Sequence, residues 1–372
     1  MSLKKCKLPL ADVEVIVVVN DSILDNAKTK KLNQKIFEQA TAWSEKNSRP
    51  RMRFRILYKG ELPKKTGGVG LARKIGMDEA CYRFGKAKVK KGIIVCFDAD
   101  SKCEENYLVA IEHHFKKHPR TSACSIHFEH PIRGFDFEEP VYQAIIAYEL
   151  HLRYFINVQE WVGFPFAYQT IGSSMAVRSD YYQKQGGMNR RKAGEDFYFL
   201  QKFIALGNFT NLNSTTVIPS PRISDRVPFG TGKAVGEILE QKGQYDTYNI
   251  LTFKDLKIFV KQLKIIYNLE NSWKTLDLPN SVTQYLELQN FDERLAEIRQ
   301  HTTSFSSFKK RFFHWFNAFQ VMKFAHFARD HFYENVSVES AALTLLVERK
   351  IALKEEDQKS LLLLYRNLDK AK

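Results

Sequence analysis

The sequence has few cysteines and no long apolar runs, which are the features of disulfide-rich secreted proteins, zinc-binding domains and membrane-spanning proteins. Its five cysteines among 372 residues are odd in number and include no Cys-x-x-Cys pair, so neither a disulfide framework nor a zinc ribbon is expected. No apolar run approaches the roughly 18 residues that a membrane-spanning helix needs, and no signal peptide is recognisable. The sequence therefore predicts a protein with buried free thiols in the reducing cytoplasm.

Acidic residues are also in the minority. The chain has 42 acidic and 57 basic residues, and this gives a net charge of +15 and a sequence pI near 9.4. Such a charge favours polyanionic partners, whether nucleotide phosphates, anionic lipid head groups or nucleic acid, and does not choose among them. Because 44% of the residues are hydrophobic, the chain can bury more than one core, and two domains are expected.

Two aspartates that follow an apolar run form the strongest chemical signal. Residues 93–97 are consecutive apolar residues rich in β-branched side chains, which predicts a strand buried on both faces of a parallel sheet. Asp98 and Asp100 come next, and ligands of open α/β sheets bind beyond the carboxyl ends of strands. Two carboxylates there can share Mn²⁺ or Mg²⁺, which can neutralise a diphosphate leaving group. The alternative is a solvated loop that caps the following helix.

Further strands alternate with helices over the first two thirds of the chain. Strands are predicted at residues 13–19, 52–58, 122–128 and 174–178, and a long amphipathic helix at residues 141–161. Residues 20–22 are predicted to form a turn that caps the next helix. The Gly-rich residues 63–70 precede a helix, where they could approach a phosphate or form an ordinary flexible turn.

Glu195 and Asp196 open another predicted helix. Acidic residues in a first helical turn have a simple explanation, because they complement the helix dipole. These two, however, follow a Gly-rich turn and the basic residues 189–192, where a substrate could be held. A carboxylate in this position could act as a general base towards a sugar hydroxyl.

Two arginines lie in the Pro/Gly-rich loop of residues 218–232. Arg222 and Arg226 carry guanidinium groups suited to phosphate or carboxylate. The alternative is that they are structural and bond to loop carbonyls.

From about residue 233 the pattern becomes helical. Residues 304–333 contain nine phenylalanines and Trp315, and apolar residues on several faces predict a buried helix. The alternative is an interfacial helix whose interspersed basic residues meet anionic lipid. The expected domains are residues 1–232, a mostly parallel α/β domain, and residues 233–372, an all-helical domain.

The order of these motifs resembles the inverting GT-A glycosyltransferases of family 2, over roughly residues 10–230. The sequence VVNDSILDN matches that family's second strand and acidic turn, and Gly68, Ala72 and Arg73 match its G-x-x-x-A-R-N helix start. FDADS matches the metal motif, and GSSMAVR, GGM and GEDFYFLQK match the acceptor-side segment. The family's usual first strand and helix have no counterpart ahead of residue 13, so the resemblance implies a sheet that lacks one central strand.

The resemblance also implies roles for individual residues. Asp196 would be the general base, supported by Glu195, and Asp98 and Asp100 would bind the metal. The nucleotide-sugar donor, with a UDP-sugar favoured, would be bound by residues of both halves of the domain: Asn20, which replaces the family's usual first Asp, and Asp21, Arg73, Asp98, Asp100, Arg222 and Arg226, the last two from their chemistry alone.

The leading hypothesis is a metal-dependent hexosyl- or N-acetylhexosaminyl-transferase of polysaccharide biosynthesis. It would move a sugar, with inversion, to a hydroxyl of a glycan or lipid-linked acceptor. It is expected in the cytoplasm, with peripheral contact at the inner face of an anionic membrane. One alternative is a catalytically silent GT-A-like binding module. The other, nucleic-acid binding, rests only on the net charge and is not expected.

Overall fold

A computed structural model describes residues 2–64, 67–191, 193–225, 227–353 and 355–372. Their contacts divide the chain into two compact units. The first unit comprises Met1–Tyr142, Thr170–Glu237 and Leu368–Lys372, and the second comprises Gln143–Gln169 and Ile238–Asn367. The sequence-based boundary at residues 232/233 thus lies near one of the points at which the chain leaves the first unit.

The strands of the first unit alternate with helices, as the apolar runs predict. The long helix predicted at residues 141–161 is present and extends by two residues at its start and one at its end. In chain order the elements up to residue 240 are α1 (Ser2–Lys5), β1 (Val13–Ser22), α2 (Ala27–Asn47), β2 (Met52–Leu62), α3 (Val69–Lys86), β3 (Ile93–Cys96), β4 (Lys102–Cys103), α4 (Tyr107–Lys117), β5 (Ala123–Phe128), α5 (Glu139–Val162), β6 (Met175–Arg178), α6 (Ser179–Lys184), α7 (Glu195–Ile204), β7 (Phe209–Ile218) and α8 (Thr231–Glu240). Most of α5, from Gln143 onward, belongs to the second unit.

A five-stranded mixed sheet, in the order β3-β6-β5-β7-β4, forms the centre of this unit. All six residues of β5 and all four of β6 are buried, as expected of strands that are covered on both faces. Only β5 and β7 pair in parallel within this sheet, whereas β3–β6, β5–β6 and β4–β7 are antiparallel. The chain is therefore α/β, but the prediction of a mostly parallel sheet is not confirmed.

β3, the strand that precedes Asp98, does not lie where the sequence predicts, which is inside a parallel sheet with both faces buried. In the part of the chain that the structure describes, β3 lies at an edge of the sheet and pairs only with β6, with Ile94 opposite Val177. Ile94 and Cys96 are buried, while Ile93 and Val95 are half-buried. An apolar run predicts a strand, but the number and direction of its neighbours depend on chain segments about 80 residues away.

β1 and β2 form a separate parallel pair, with Val13 opposite Met52. Among the described residues β1 pairs with no other strand, and its central apolar residues remain half-buried. The turn predicted at residues 20–22 is wrong, since β1 continues through Ser22. The next helix is capped by Asn26, whose side-chain oxygen accepts a hydrogen bond of 2.8 Å from the Thr29 amide.

Among the described residues of the second unit, β8 (Asp246–Thr247) and β9 (Val336–Ser337) form one two-residue ladder, and the other elements, which include most of α5, are helical. Its aromatic segment forms two helices rather than one, and Phe308, Phe312, Phe316 and Phe324 are fully buried, which confirms the core prediction. The elements are β8 (Asp246–Thr247), α9 (Ile250–Lys261), α10 (Leu263–Asn268), a 3₁₀ turn (Trp273–Thr275), α11 (Asn280–Leu288), α12 (Phe291–Gln300), α13 (Phe305–Trp315), α14 (Ala318–His331), β9 (Val336–Ser337), α15 (Val338–Glu348) and α16 (Gln358–Lys370).

A helix can cross a membrane only if it is both long and apolar. Within the described part of the chain, no helix combines the length and the apolar character needed to cross a membrane.

Candidate active site

Asp98 and Asp100 lie in the turn that follows β3, where the Ser101 amide donates a hydrogen bond of 3.0 Å to the Asp98 carbonyl. Their side chains are 42% and 38% exposed, so both carboxylates can meet a ligand from solvent. Each is already paired with an arginine. Arg73 Nη2 lies 2.7 Å from Asp98 Oδ1, and Arg222 Nε lies 2.5 Å from Asp100 Oδ2.

Arg73 connects distant parts of the sequence. It projects from the first turns of α3, donates through Nη2 to Asp98, and donates through Nη1 to Glu195, which is 122 residues further along the chain. A Cβ at Gly172 would lie 2.2 Å from Nη1, so a larger residue there would displace the guanidinium from its present position. The side chain of Arg73 is 13% exposed, and its two carboxylate bonds hold the β3 turn and the start of α7 together.

Close packing between α3 and the loop before α7 brings Arg73 to its partners. A Cβ at Gly70 would lie 2.3 Å from the Arg191 carbonyl oxygen and 3.0 Å from Glu195 Cβ. Gly70 therefore permits backbone contact between these segments. The phosphate-binding hypothesis for residues 63–70 falls partly on Lys65 and Thr66, which lie outside the described residues.

Glu195 and Asp196 begin α7, as the sequence predicts. Glu195 is 2% exposed, and burial raises the pKa of its carboxyl to about 7 in spite of Arg73, with Asp196 contributing a further increase. Burial likewise raises the pKa of Asp196, against the opposing effects of Arg73 and of the Phe197 amide, which donates to Asp196 Oδ1 at 2.8 Å.

The charges around Arg73 do not balance. Burial opposes its charge, yet Asp98, Glu195 and Asp196 together raise the pKa of the guanidinium above its ordinary value. One guanidinium faces three carboxylates, and repulsion from the neighbouring acids adds to burial in raising the pKa of Glu195 and of Asp196. A further cation at this edge would reduce that repulsion. We call Arg73, Asp98, Glu195 and Asp196 the acid cluster.

Asp21 and Asn20 lie at the end of β1, and both accept hydrogen bonds from other residues of the protein. Asp21 is 2% exposed and accepts hydrogen bonds from the Tyr58 hydroxyl and, at 2.8 Å, from the Glu61 amide. The Tyr58 hydrogen bond lowers the pKa of this carboxyl. The carbonyl of Asn20 accepts a bond of 3.0 Å from Asn33. In the described part of the chain, neither residue forms a hydrogen bond or ion pair with the acid cluster.

Arg222 contacts a carboxylate, as the chemistry of its guanidinium suggests, and its role in donor binding stays a prediction. It pairs with the Asp100 carboxylate instead of with a loop carbonyl, so it lies where it could also meet a phosphate. Arg226 lies outside the described residues. Two residues that the sequence did not single out support the site, namely Tyr58 beside Asp21 and Gly172 beside Arg73. Tyr58 lies opposite Val19, near the end of β1 that carries Asp21. A predicted parallel pairing of β1 with β2 would therefore have identified Tyr58 as a neighbour of Asp21.

The donor groups around Asp98 and Asp100 suit a hard divalent cation. Carboxylate oxygens are the ligands that Mn²⁺ and Mg²⁺ prefer, and Asp98 Oδ2 and Asp100 Oδ1 bond to no residue that the structure describes. Within the same residues, no group of three or more His, Cys, Asp or Glu side chains gathers around a common point.

No known family profile and no curated protein sequence matches this chain significantly. The glycosyltransferase resemblance therefore stays a prediction based on the motifs themselves.

Proposed function

We propose that the chain is a metal-dependent, inverting glycosyltransferase that moves a sugar from a nucleotide-sugar donor to a hydroxyl of a glycan or lipid-linked acceptor. The observation that carries the proposal is the pair of bonds from Arg73. Through these bonds Arg73 holds the Asp98 turn beside Glu195 and Asp196. The Asp98 turn has carboxylates suited to a metal and diphosphate site, and Glu195 and Asp196 are carboxylates suited to act as a base.

The residues would divide the work of a single displacement. Asp98 and Asp100 would hold Mn²⁺ or Mg²⁺, which supplies positive charge to the leaving diphosphate. Arg222 lies beside Asp100 and can add a second positive charge at the phosphates. Asp196, whose pKa is raised by burial, would accept the proton of the acceptor hydroxyl. Glu195 would keep Arg73, and with it the Asp98 turn, in place.

A second candidate is a GT-A-like binding module without turnover. It is favoured by the division of the strands into two sheets, since β1 and β3 are not paired with each other in the described chain. It is also favoured by the internal use of Asp21, which would have to exchange the Tyr58 and Glu61 bonds for a nucleotide. This candidate predicts a folded protein with little or no affinity for nucleotides.

Thermal unfolding of the 372-residue protein with UDP, GDP or CDP, each with and without Mn²⁺, tests the proposal. One nucleotide at about 100 times its Kd should stabilise the protein by about 2.7 kcal/mol, and this shift should require the metal. It should disappear in the Asp98→Asn/Asp100→Asn double variant. Asp136→Asn, which changes an exposed aspartate paired only with Lys102 in the described chain, is the matched control and should keep the shift.

The same samples separate the two candidates. A nucleotide-dependent shift followed by release of nucleoside diphosphate from the matching nucleotide-sugar supports the transferase. A protein that melts cooperatively and responds to none of the nucleotides contradicts it and supports the silent module.

A further inference from the structure

Two cysteine thiols face each other where the segment after α1 meets β4. Cys6 follows α1, Cys103 ends β4, and their sulfurs lie 3.6 Å apart although the residues are 97 positions apart in sequence. In the described chain, no hydrogen bond joins the other three cysteines, Cys81, Cys96 and Cys124, to another thiol. Only this pair is therefore placed for reaction between two sulfurs.

The two thiols have different surroundings. Cys6 is 3% exposed, and its hydrogen bond with Cys103, together with burial, raises the pKa of its thiol. Cys103 is half-buried, and its hydrogen bonds with Cys6 and with the Ser2 hydroxyl, 3.7 Å away, lower its pKa. Cys103 is thus the more accessible sulfur and the one more readily present as a thiolate, which is the form that reacts.

We propose that Cys6 and Cys103 form a reversible disulfide when the protein meets a peroxide. The Cys103 thiolate attacks one peroxide oxygen and breaks the O–O bond, which yields a sulfenic acid on Cys103 and, after protonation of the leaving oxygen, water or an alcohol. The Cys6 sulfur then attacks the Cys103 sulfur, the Cys6 proton leaves with the hydroxyl as water, and the S–S bond forms. Two thiols are oxidised, and one peroxide is reduced.

This disulfide would lie on the strand pair that connects to Asp100 and Arg222 of the candidate active site. The Lys7 amide donates to the Glu105 carbonyl at 2.8 Å, so the segment after α1 already lies along the chain that follows β4. β4 pairs with the end of β7, with Lys102 opposite Ile218. Asp100 precedes this ladder on one strand and Arg222 follows it on the other. A Cys6–Cys103 bond would restrain the strands from which the Asp100–Arg222 pair extends.

Peptide mapping of the full chain tests the proposal. The reduced protein is treated with hydrogen peroxide, the remaining thiols are alkylated, and tryptic peptides are compared with and without reductant. The expected product is a peptide that begins at Cys6 joined to one that begins at Cys103, with the loss of two hydrogens, and dithiothreitol should separate them. The oxidised protein should also melt about 5 °C higher, because the bond closes a 97-residue loop.

Three variants make the result specific. Cys81→Ser, the matched control, should leave the cross-link unchanged, and Cys103→Ser should abolish it. Cys6→Ser should leave a sulfenic acid on Cys103 that dimedone captures. Irreversible oxidation of Cys103 without a cross-link, or the same mixture of cross-links in native and guanidinium-unfolded protein, would overturn the proposal. None of these readouts depends on nucleotide binding or sugar transfer.

Discussion

Each compact unit contains a group of arginine and carboxylate side chains, and the two groups differ in balance and exposure. In the first unit, Arg73 faces three carboxylates, and Asp98 is 42% exposed. In the second unit, Glu149 is fully buried and accepts hydrogen bonds of 2.7–2.8 Å from Arg153 and Arg366. The second group lies in the interior, whereas the first has more acid than its arginine can neutralise and opens to solvent.

This difference separates stabilisation from chemistry. A buried charge is tolerated while its oppositely charged partners are present. Removal of one partner leaves an uncompensated charge in the protein interior, which lowers the free energy of unfolding. A group with surplus acid and an exposed carboxylate is less stable in itself, and it can gain from a bound cation or give up a proton on binding. We therefore expect the Glu149 group to set the stability of its unit and the acid cluster to set activity.

The largest expected effect is on sugar transfer. Asp196→Asn should lower turnover roughly 10²- to 10⁴-fold, because the amide cannot accept the acceptor proton. Nucleotide-dependent stabilisation should remain, because the variant keeps Asp98 and Asp100. Turnover is measured as nucleoside diphosphate release, with Asp136→Asn as the control. Full turnover in Asp196→Asn would remove this residue from the role of base.

Removal of the Glu149 charge should produce the largest loss of stability. Glu149→Gln keeps the size of the side chain but leaves Arg153 and Arg366 without its negative charge, so the free energy of unfolding should fall by about 3–5 kcal/mol. Glu348→Gln is the control, since its pair with Lys254 is about one third exposed on each side and should contribute less than about 1 kcal/mol. Chemical denaturation measures both. Equal effects in the two variants would contradict the comparison.

The pH dependence of unfolding should report the surplus acid of the first unit. Because the Glu195 pKa rises from 4.5 to about 7 on folding, the folded protein binds its proton more tightly in this range. The free energy of unfolding should therefore fall as the pH rises from about 4.5 to about 7, by at most about 3 kcal/mol. Glu195→Gln should flatten this part of the profile.

Glu112 provides the control for that measurement. Burial raises its pKa, but bonds from the Leu10 and Ala11 amides, each 2.9 Å, and from Lys116 outweigh burial and lower it overall. Its contribution to stability is present above its ordinary value of 4.5 and is lost as the pH falls. Glu112→Gln should thus leave the slope between about pH 4.5 and 7 unchanged. An unchanged slope in Glu195→Gln would show that the Glu195 pKa is not raised.

The smallest expected effect on stability comes from the pair at the exposed edge. Arg222→Gln should change the free energy of unfolding by less than about 1 kcal/mol, because Arg222 and Asp100 are 44% and 38% exposed. The same variant should weaken the nucleotide-dependent shift in melting temperature. Lys274→Gln, which removes a similarly exposed pair with Glu287, is the control. Nucleotide affinity that is the same in both variants would exclude Arg222 from the donor site.

Local pattern was sufficient for much of the fold. The strand predicted at residues 122–128 is present as β5, and the periodicity of residues 141–161 predicted α5 to within two residues at each end. The Phe-rich segment was correctly assigned to a core, although the break between α13 and α14 was missed. The break falls at Phe316 and Asn317, where the Asn317 side chain caps the second helix through the Phe319 amide at 3.0 Å.

The amino-acid sequence by itself indicated many of the strands and helices, and it singled out the carboxylates and arginines that could carry chemistry, because apolar periodicity and residue type are local properties. The tertiary structure alone decided that β3 is an antiparallel edge strand, that Asp21 is bound by Tyr58, and that Arg73 joins Asp98 to Glu195. These features depend on which segments meet after the chain has folded. The balance of charge that raises the Glu195 pKa exists only in that assembled arrangement.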